Sequence, residues 1–306
     1  MVVSNYPYWP RILKQIGKIL AVIFALSIVS VLLDSQKHLL RPITIPDIAI
    51  SVLGAALGIL LAFRTNSAYS RWWEARTLWG AMVNSSRSLA RQAVSFPRRS
   101  GSQVLQAASV DFSCCFVRSQ IAFVHATRCT LRRQPPWNDI QPFLDTRSLE
   151  ALHNFQNVPA ALLQQMGQQV TTAVDQQVLS EWHMLRLDTT LGDLSNVLGA
   201  CERIKNTPLP KQYDYYPELL IKFYCILLPF VIVDQVGLLT PVITVLIAFA
   251  FLVLNRIGKN LEDPFENLPY DIPMTALCRT IEINLRQAIG ETGAPQPLTP
   301  VDGVLM

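Results

Sequence analysis

Four runs of apolar residues constrain the fold of this 306-residue chain more than any other feature. They are Ile19–Leu33, Ile48–Phe63, Phe223–Val233 and Val236–Leu254. A helix needs about 20 residues to cross the hydrocarbon core of a bilayer, so the first three runs need flanking residues to complete a crossing. Because only Asp234 and Gln235 separate the last two runs, these form a tight helical hairpin in our prediction. The sequence therefore predicts four transmembrane helices.

The composition indicates a membrane protein that also carries a large polar part. Charged residues make up 16% of the chain and its mean hydropathy is +0.28, whereas soluble domains carry about 25% charged residues. We expect an all-α protein whose four transmembrane helices are continuous with a cytosolic helical bundle. In chain order, the expected parts are two transmembrane helices, a cytosolic bundle, two further transmembrane helices and a cytosolic C-terminal segment, at 1–65, 66–215, 216–256 and 257–306.

Basic residues mark one side of the predicted spans. They lie before the first run, after the second and after the fourth: Arg11, Lys14, Lys18, Arg64, Arg71, Arg76, Arg256 and Lys259. By the positive-inside rule this side is the cytosol, so we expect a multi-pass protein of the inner or plasma membrane with both termini cytosolic and with lipid as a partner. The net charge of +4 is weak and dispersed, which argues against a nucleic-acid-binding face.

The second apolar run continues into a polar sequence without a helix breaker. From Gly58 to Gly80 the chain reads GILLAFRTNSAYSRWWEARTLWG, which predicts one helix that leaves the bilayer and extends through Asn66–Ser95. Further helical zones are expected at Val104–Thr127, Ser148–Ile204 and Pro273–Ile289. Because Asp111 and Arg118 lie within the first of these zones, we interpret it as a buried cytosolic helix rather than a fifth span.

Signatures of enzymes and metal sites are missing from the sequence. It contains no GxSxG, HExxH, P-loop or GxGxxG motif before a helix, and we therefore predict that the protein is not an enzyme. The six cysteines form no CxxC or Cys/His ligand spacing. We interpret them as reduced thiols that serve as small hydrophobic residues.

One face of the second span carries a candidate functional stripe. Ala55, Ile59 and Phe63 follow one another at intervals of four residues and so lie on one side of a helix. The stripe is either an ordinary packed face or a hydrophobic constriction that gates a pore by dewetting. A single stripe cannot enclose a hole, so the second interpretation requires several subunits around an axis. Gly54 and Gly58 form a GxxxG motif that permits close helix approach.

Several motifs resemble the bestrophin family, particularly its bacterial members. These are FRTNSAYSRWWEARTLWG (Phe63–Gly80), NTPLP (Asn206–Pro210), KFYCILLPF (Lys222–Phe230) and NLEDPF (Asn260–Phe265). The resemblance extends from the first span to about residue 290. It implies a ring-shaped homopentamer, an ion channel with a single central pore whose neck is lined by the second helix of each subunit.

The resemblance also implies roles for individual residues. The three neck positions correspond to Ala55, Ile59 and Phe63, although Ala55 is smaller than the usual residue and would widen the outer ring. Pro217 corresponds to a cytosolic aperture, or else lies in the first turn of the third transmembrane helix.

A calcium-binding run in eukaryotic members corresponds here only to Glu262, Asp263 and Glu266. These three residues are either a remnant that still binds calcium, which prefers six to eight oxygen ligands, or ordinary solvated acids. We expect no other cofactor.

The resemblance implies a passive channel for permeant ions, and we place an anion such as chloride ahead of a monovalent cation such as sodium. Asp47 is a candidate outer-mouth residue that would attract cations if it faced the axis, or a first-turn residue that interacts with the helix dipole. A non-conducting membrane scaffold is the remaining alternative.

Overall fold

In the computed structural model, residues 1–2, 9–35, 47–98 and 102–306 are described, apart from the side chains at 9–11 and 47. The described residues form ten α-helices and no β-strand. The helices are α1 (Trp9–Ser35), α2 (Asp47–Ser95), α3 (Gln103–Leu131), α4 (Trp137–Ile140), α5 (Thr146–Leu152), α6 (Val158–Asp175), α7 (Glu181–Asn206), α8 (Lys211–Val236), α9 (Thr240–Glu262) and α10 (Met274–Ala288). The expected all-α class is confirmed.

The chain divides into two compact units. The apolar unit consists of Ser4–Trp72 and Pro208–Asp263, and the polar unit consists of Met1–Val3, Trp73–Thr207 and Pro264–Met306. Helix α2 contributes residues to both units and is one uninterrupted helix of 49 residues. This confirms that the second apolar run and the Arg-Trp-rich sequence after it form a single element.

Helices α1, α8, α9 and the first part of α2 build the apolar unit. Its core consists of aliphatic side chains from all four helices together with the ring of Tyr224. Ser27 and Ser30 are buried in α1, and their hydroxyls donate to the carbonyls of Phe24 and Ser27 at 2.7 and 2.8 Å. These local hydrogen bonds let two polar side chains occupy an apolar helix without leaving a hydroxyl unsatisfied.

Length and hydropathy identify four stretches of described helix that are long and apolar enough to cross a membrane. They are Ile12–Ser35, Ile48–Ser95, Gln103–Leu131 and Lys211–Glu262, of which the last comprises both α8 and α9. The stretch in α3 has the lowest mean hydropathy, 1.2, and more than half of it is buried inside the protein. These stretches include every apolar run that the sequence singled out.

The turn between α8 and α9 lies later than the sequence suggested. Asp234 and Gln235 belong to the last turn of α8, and the connection is formed instead by Gly237–Leu239. Gly237 has a φ of +53°, which a residue without Cβ adopts readily, and it therefore ends α8. Pro241 lies in the first turn of α9, where the missing N–H costs nothing.

Helix α3 is the central element of the polar unit and packs against α6 and α10. All residues from Phe116 to Cys129 except Arg118 are buried. Gln120 donates to the hydroxyl of Ser86 at 2.9 Å, and the hydroxyl of Ser119 accepts a hydrogen bond from Gln169 at 3.1 Å. The prediction that this segment is a buried helix is confirmed by this burial.

The predicted helical zone Ser148–Ile204 is three helices rather than one. Asn157 and Ser180 cap the N-termini of α6 and α7 with their side chains, and such capping residues favour a helix start over a helix interior. Gln177, with a φ of +58°, interrupts the backbone before α7. The expected C-terminal helix is confirmed and ends one residue before Ile289.

The cysteines behave as the sequence indicated. All six are free thiols, and four of them are buried. Burial raises the pKa of Cys201 to about 12 and that of Cys278 to about 12. Both thiols therefore remain protonated at neutral pH, and a protonated thiol is a poor nucleophile.

We expect a maleimide at neutral pH to modify Cys115 in the folded protein and to leave Cys201 and Cys278 unmodified, because Cys115 is exposed and the other two are buried. Peptide mass spectrometry after brief labelling in detergent would measure this. A Cys115→Ser variant is the control and should lose the fast modification. Rapid labelling of Cys278 before denaturation would contradict the structure.

Candidate functional site

Helix α2 has two distinct faces within the apolar unit. Ile50, Leu57 and Leu61 are buried against the core. On the other side Ile59 is 60% exposed and Phe63 is 66% exposed. Ala55 is exposed as well. The three residues of the predicted neck therefore share a surface that their own subunit leaves uncovered.

Close packing on the buried side explains one glycine of the GxxxG motif. A Cβ atom added at Gly54 would lie 2.8 Å from the phenolic oxygen of Tyr224 on α8, a distance that real Cβ atoms do not adopt. At Gly58 no atom lies within 4 Å of such a Cβ. Of the two glycines in the motif, Gly54 is the one that close helix approach requires within the subunit.

Polar residues follow the apolar stripe on the exposed side of α2. Asn66 and Ser70 are exposed one and two turns beyond Phe63. At the other end, Asp47 is the first residue of α2, but its side chain lies outside the described residues. The exposed face of α2 thus runs from apolar at Ile59 and Phe63 to hydrogen-bonding at Asn66 and Ser70.

A buried arginine holds the inner side of α2. Arg64 directly follows Phe63, yet its side chain is only 2% exposed. Its guanidinium donates to the side-chain carbonyl of Asn255 on α9 and to the carboxylate of Asp214 on α8, and it lies 3.8 Å from the carboxylate of Glu262. A single side chain therefore ties α2 to both helices of the α8–α9 hairpin.

Further ion pairs extend this network along α8 and α9. Glu218 accepts from Lys222 at 2.6 Å and also from Lys259, which lies 3.5 Å from Asp214. The Nε atom of Arg71 donates to the backbone carbonyl of Glu262 at 2.8 Å. Polar and ionic contacts thus connect three helices at the end of the apolar unit where the basic residues lie.

From the sequence, Arg64 belonged only to the basic cluster after the second run, and its buried role was missed. A signal was present, because Arg64 lies seven residues after Leu57 and three after Leu61. This spacing places it on the same side of the helix as those leucines. Its partners Asp214 and Asn255 had no comparable signal, since both are isolated polar residues far away in the chain.

Pro217 lies within helix α8. Because α8 begins at Lys211, Pro217 is inside the helix, and the alternative that it lies in the first turn is wrong. The residue is buried in its own subunit. The cytosolic aperture that the resemblance implies at Pro217 stays a prediction.

Two of the three acidic residues at and after the end of α9 face cationic side chains, and calcium binding there stays a prediction. Glu266 is paired with Lys205, whose side chain is only 4% exposed, and Glu262 faces Arg64 and Arg71 as described above. Within the described ranges, no group of three or more His, Cys, Asp or Glu residues is arranged to hold a metal ion. A calcium ion prefers six to eight oxygen ligands, whereas cationic side chains already neutralise Glu262 and Glu266.

A family model described as bacterial and fungal bestrophin protein matches residues 9–287. The chain belongs to the bestrophin family. The match covers the apolar runs, the Arg-Trp-rich part of α2 and the α8–α9 hairpin, which are the segments on which the resemblance was based. As a bestrophin with several apolar helices of membrane-spanning length, it is a multi-pass membrane protein.

Two named relatives align with almost the whole bestrophin chain. A voltage-dependent anion channel-forming protein of Ralstonia nicotianae is 36% identical, with 95% of each chain covered. The voltage-dependent anion channel-forming protein YneE of Salmonella typhi is 34% identical, with 98% of each chain covered.

Solved structures show the same fold. A crystal structure of a bacterial bestrophin homologue from Klebsiella pneumoniae has 30% sequence identity and a TM-score of 0.83, covering 90% of this bestrophin and 99% of the other chain. The crystal structure of a mutant of that homologue has 29% identity and the same TM-score of 0.83, covering 90% of this chain and 100% of the other. The helical bestrophin fold is therefore confirmed.

We expect Asp214→Asn to destabilise the protein by roughly 3 kcal/mol, because it leaves the buried guanidinium of Arg64 without its nearest carboxylate. The change should appear as a lower midpoint of thermal unfolding in detergent. Glu74→Gln is a matched control, since it breaks an ion pair with Arg203 whose two side chains are 48% and 65% exposed. Exposed pairs contribute about 1 kcal/mol or less. Equal loss of stability in both variants would contradict the anchoring role.

Proposed function

We propose that this bestrophin is a passive anion channel in which five copies surround one central pore. In this proposal α2 of each copy lines the pore, and Ala55, Ile59 and Phe63 form its narrow neck. Two observations support it: membership of the bestrophin family, and the names of relatives that align over nearly the whole chain as voltage-dependent anion channel-forming proteins.

The exposure of Ile59 and Phe63 is the observation on which the proposal most depends. Both side chains lie on the side of α2 away from the subunit core, at 60% and 66% exposure. Lipid would also accept an apolar face, but this face continues directly into Asn66 and Ser70, which are exposed as well. A surface that changes from apolar to hydrogen-bonding suits a passage that opens into water.

Ring assembly follows from the shape of this surface. The stripe is one residue wide on a single helix, so it becomes a constriction only when copies place equivalent residues around an axis. Such a ring of apolar side chains resists ions because water leaves the narrow segment. Ala55 offers a much smaller side chain, so Ile59 and Phe63 would provide the two effective rings.

The lining of the proposed pore favours an anion. From Val52 to Ser70, α2 contains no carboxylate, and its exposed polar residues offer amide and hydroxyl donors. An apolar neck also favours ions that lose their water at low cost, as large anions do. Asp47 is the residue that would favour sodium instead, and the reversal potential distinguishes the two selectivities.

The proposed orientation places both termini in the cytosol. Lys14 and Lys18 lie in the first turns of α1, and Arg256 and Lys259 lie in the last turns of α9. Short cytosolic connections carry an excess of such residues. The polar unit, which contains the connection between α2 and α8, would then also be cytosolic.

We expect Phe63→Ala to increase anion conductance across a planar bilayer because it removes the largest ring of the neck. A decrease of about 1.4 kcal/mol in the barrier would raise the permeation rate roughly tenfold. Phe24→Ala is the matched control, since Phe24 is also exposed but lies on α1. Recordings at both polarities in a chloride gradient, together with a view of the particle along the membrane normal, test conduction and subunit number.

Three outcomes would contradict parts of the proposal. A reversal potential near the sodium equilibrium value would replace the anion channel by a cation channel. Equal effects of Phe63→Ala and Phe24→Ala would remove the neck from α2. Absence of current in the wild type and in an Ile59→Ala/Phe63→Ala double variant would favour a non-conducting membrane scaffold.

A further inference from the structure

A small cleft lies between α1, α8 and α9 at the basic end of the apolar unit. It has a volume of about 70 Å³. Four aliphatic residues line one part of it: Ile16, Ile19, Ile221 and Leu252. Lys222, Arg256 and Lys259 line the other part, so the cleft combines an apolar wall with a cationic rim.

The rim has an excess of positive charge. Glu218 is the carboxylate in the lining, and it accepts hydrogen bonds from both Lys222 and Lys259. A lysine ammonium has three donors, so each retains donors beyond the one used for Glu218. Three cations around one carboxylate leave the cleft complementary to an anion.

Arg256 is the cation best placed to bind an added anion. Its Nε atom donates to the side-chain oxygen of Gln15 on α1, which fixes the orientation of the guanidinium. In the described part of the chain, no carboxylate forms an ion pair with it. A guanidinium with free terminal nitrogens matches the geometry of phosphate oxygens in a bidentate contact.

We propose that this cleft binds the phosphate headgroup of an anionic phospholipid from the cytosolic leaflet. The charged headgroup would occupy the cleft, and the acyl chains would lie along exposed apolar side chains such as Val22 on α1 and Ile257 on α9. Basic pockets between transmembrane helices on the cytosolic side are typical sites for such headgroups.

A general excess of basic residues at the membrane surface does not explain the arrangement. The positive-inside rule requires Lys and Arg only near the ends of spans, and Lys14, Lys18 and Lys211 satisfy it while lying exposed on the surface. Lys222, Arg256 and Lys259 instead line a shared concave space together with the aliphatic residues. That amphipathic shape is the feature that a lipid headgroup, with its attached chains, would recognise.

Binding can be measured on the full chain in a neutral detergent. Phosphatidylglycerol is the probe, phosphatidylcholine is the probe without net charge, and native mass spectrometry counts the bound lipids. We expect phosphatidylglycerol to bind in preference to phosphatidylcholine. Each Lys or Arg near an anionic headgroup contributes about 1 kcal/mol, roughly fivefold in the dissociation constant. Arg256→Gln should therefore weaken phosphatidylglycerol binding about fivefold, and Arg256→Lys should weaken it less.

Control variants separate the cleft from surface charge and from misfolding. Lys211→Gln removes an exposed cation at the start of α8, outside the cleft, and should leave binding unchanged. Arg256→Gln breaks no ion pair in the described chain, and an unchanged midpoint of unfolding without lipid would confirm that the variant folds. If it does not fold, Lys222→Gln removes a second rim cation and should give the same weakening.

The outcomes that would overturn the proposal are distinct. Equal weakening by Arg256→Gln and Lys211→Gln would assign the binding to general surface charge. If inorganic phosphate raised the midpoint of thermal unfolding through Arg256 and phosphatidylglycerol added nothing, the ligand would be a soluble phosphate and not a lipid. The assay measures bound lipid and no ion flux, so its result stands apart from that of the conductance experiment.

Discussion

The buried guanidinium of Arg64 is the interaction on which the geometry of α2 depends. A charge at 2% exposure is stable only with close partners, and those partners, Asp214 and Asn255, lie on α8 and α9. The rotation of α2 about its axis is thereby fixed at the residue that directly follows Phe63. Since Arg64 must face inward, Ile59 and Phe63 must face away from the subunit.

The same requirement explains why this long helix has no simple amphipathic pattern. Leu57 and Leu61 are buried against the core while Ile59 and Phe63 are exposed, although all four are large and apolar. In a soluble helix the exposed positions would be polar. Here both faces are apolar, and in the proposed channel one packs in the subunit while the other lines the pore. The buried charge of Arg64 is the feature that marks the inward face.

The sequence predicts a helix well where residues close together in the chain determine its continuity and its ends. The uninterrupted apolar-to-polar sequence without Pro predicted the continuity of α2, whereas α3 is buried but is also long and apolar enough to cross a membrane. We predicted the hairpin turn at Asp234 and Gln235 because these are the polar residues between the two apolar runs. The prediction was wrong, because the positive φ of Gly237 determines where α8 ends. The division of Ser148–Ile204 into three helices depends on caps at Asn157 and Ser180, whose effect is weaker than hydrophobic periodicity in a single sequence.

The residues of the candidate site also fall into two groups: those that follow from spacing on one helix, and those that come together only when distant segments pack. The shared exposed face of Ile59 and Phe63 was predictable from spacing because the stripe is local to one helix. The partners of Arg64 were not, because Asp214 and Asn255 meet it only after three distant segments have packed. For Glu262 and Glu266 the sequence shows two carboxylates but does not show that Arg64 and Lys205 face them.

The charge network of α8 and α9 places the α2 anchor and the proposed lipid cleft in direct contact. Asn255 lines the cleft and accepts the hydrogen bond of Arg64. Lys259 lines it as well, pairs with Glu218 and lies 3.5 Å from Asp214, the carboxylate bound by Arg64. An anion bound in the cleft would compete with these carboxylates for Lys259 and leave Asp214 more available to Arg64. A headgroup would therefore strengthen the pairing that orients Phe63, so that lipid composition and the geometry of α2 depend on one set of charges.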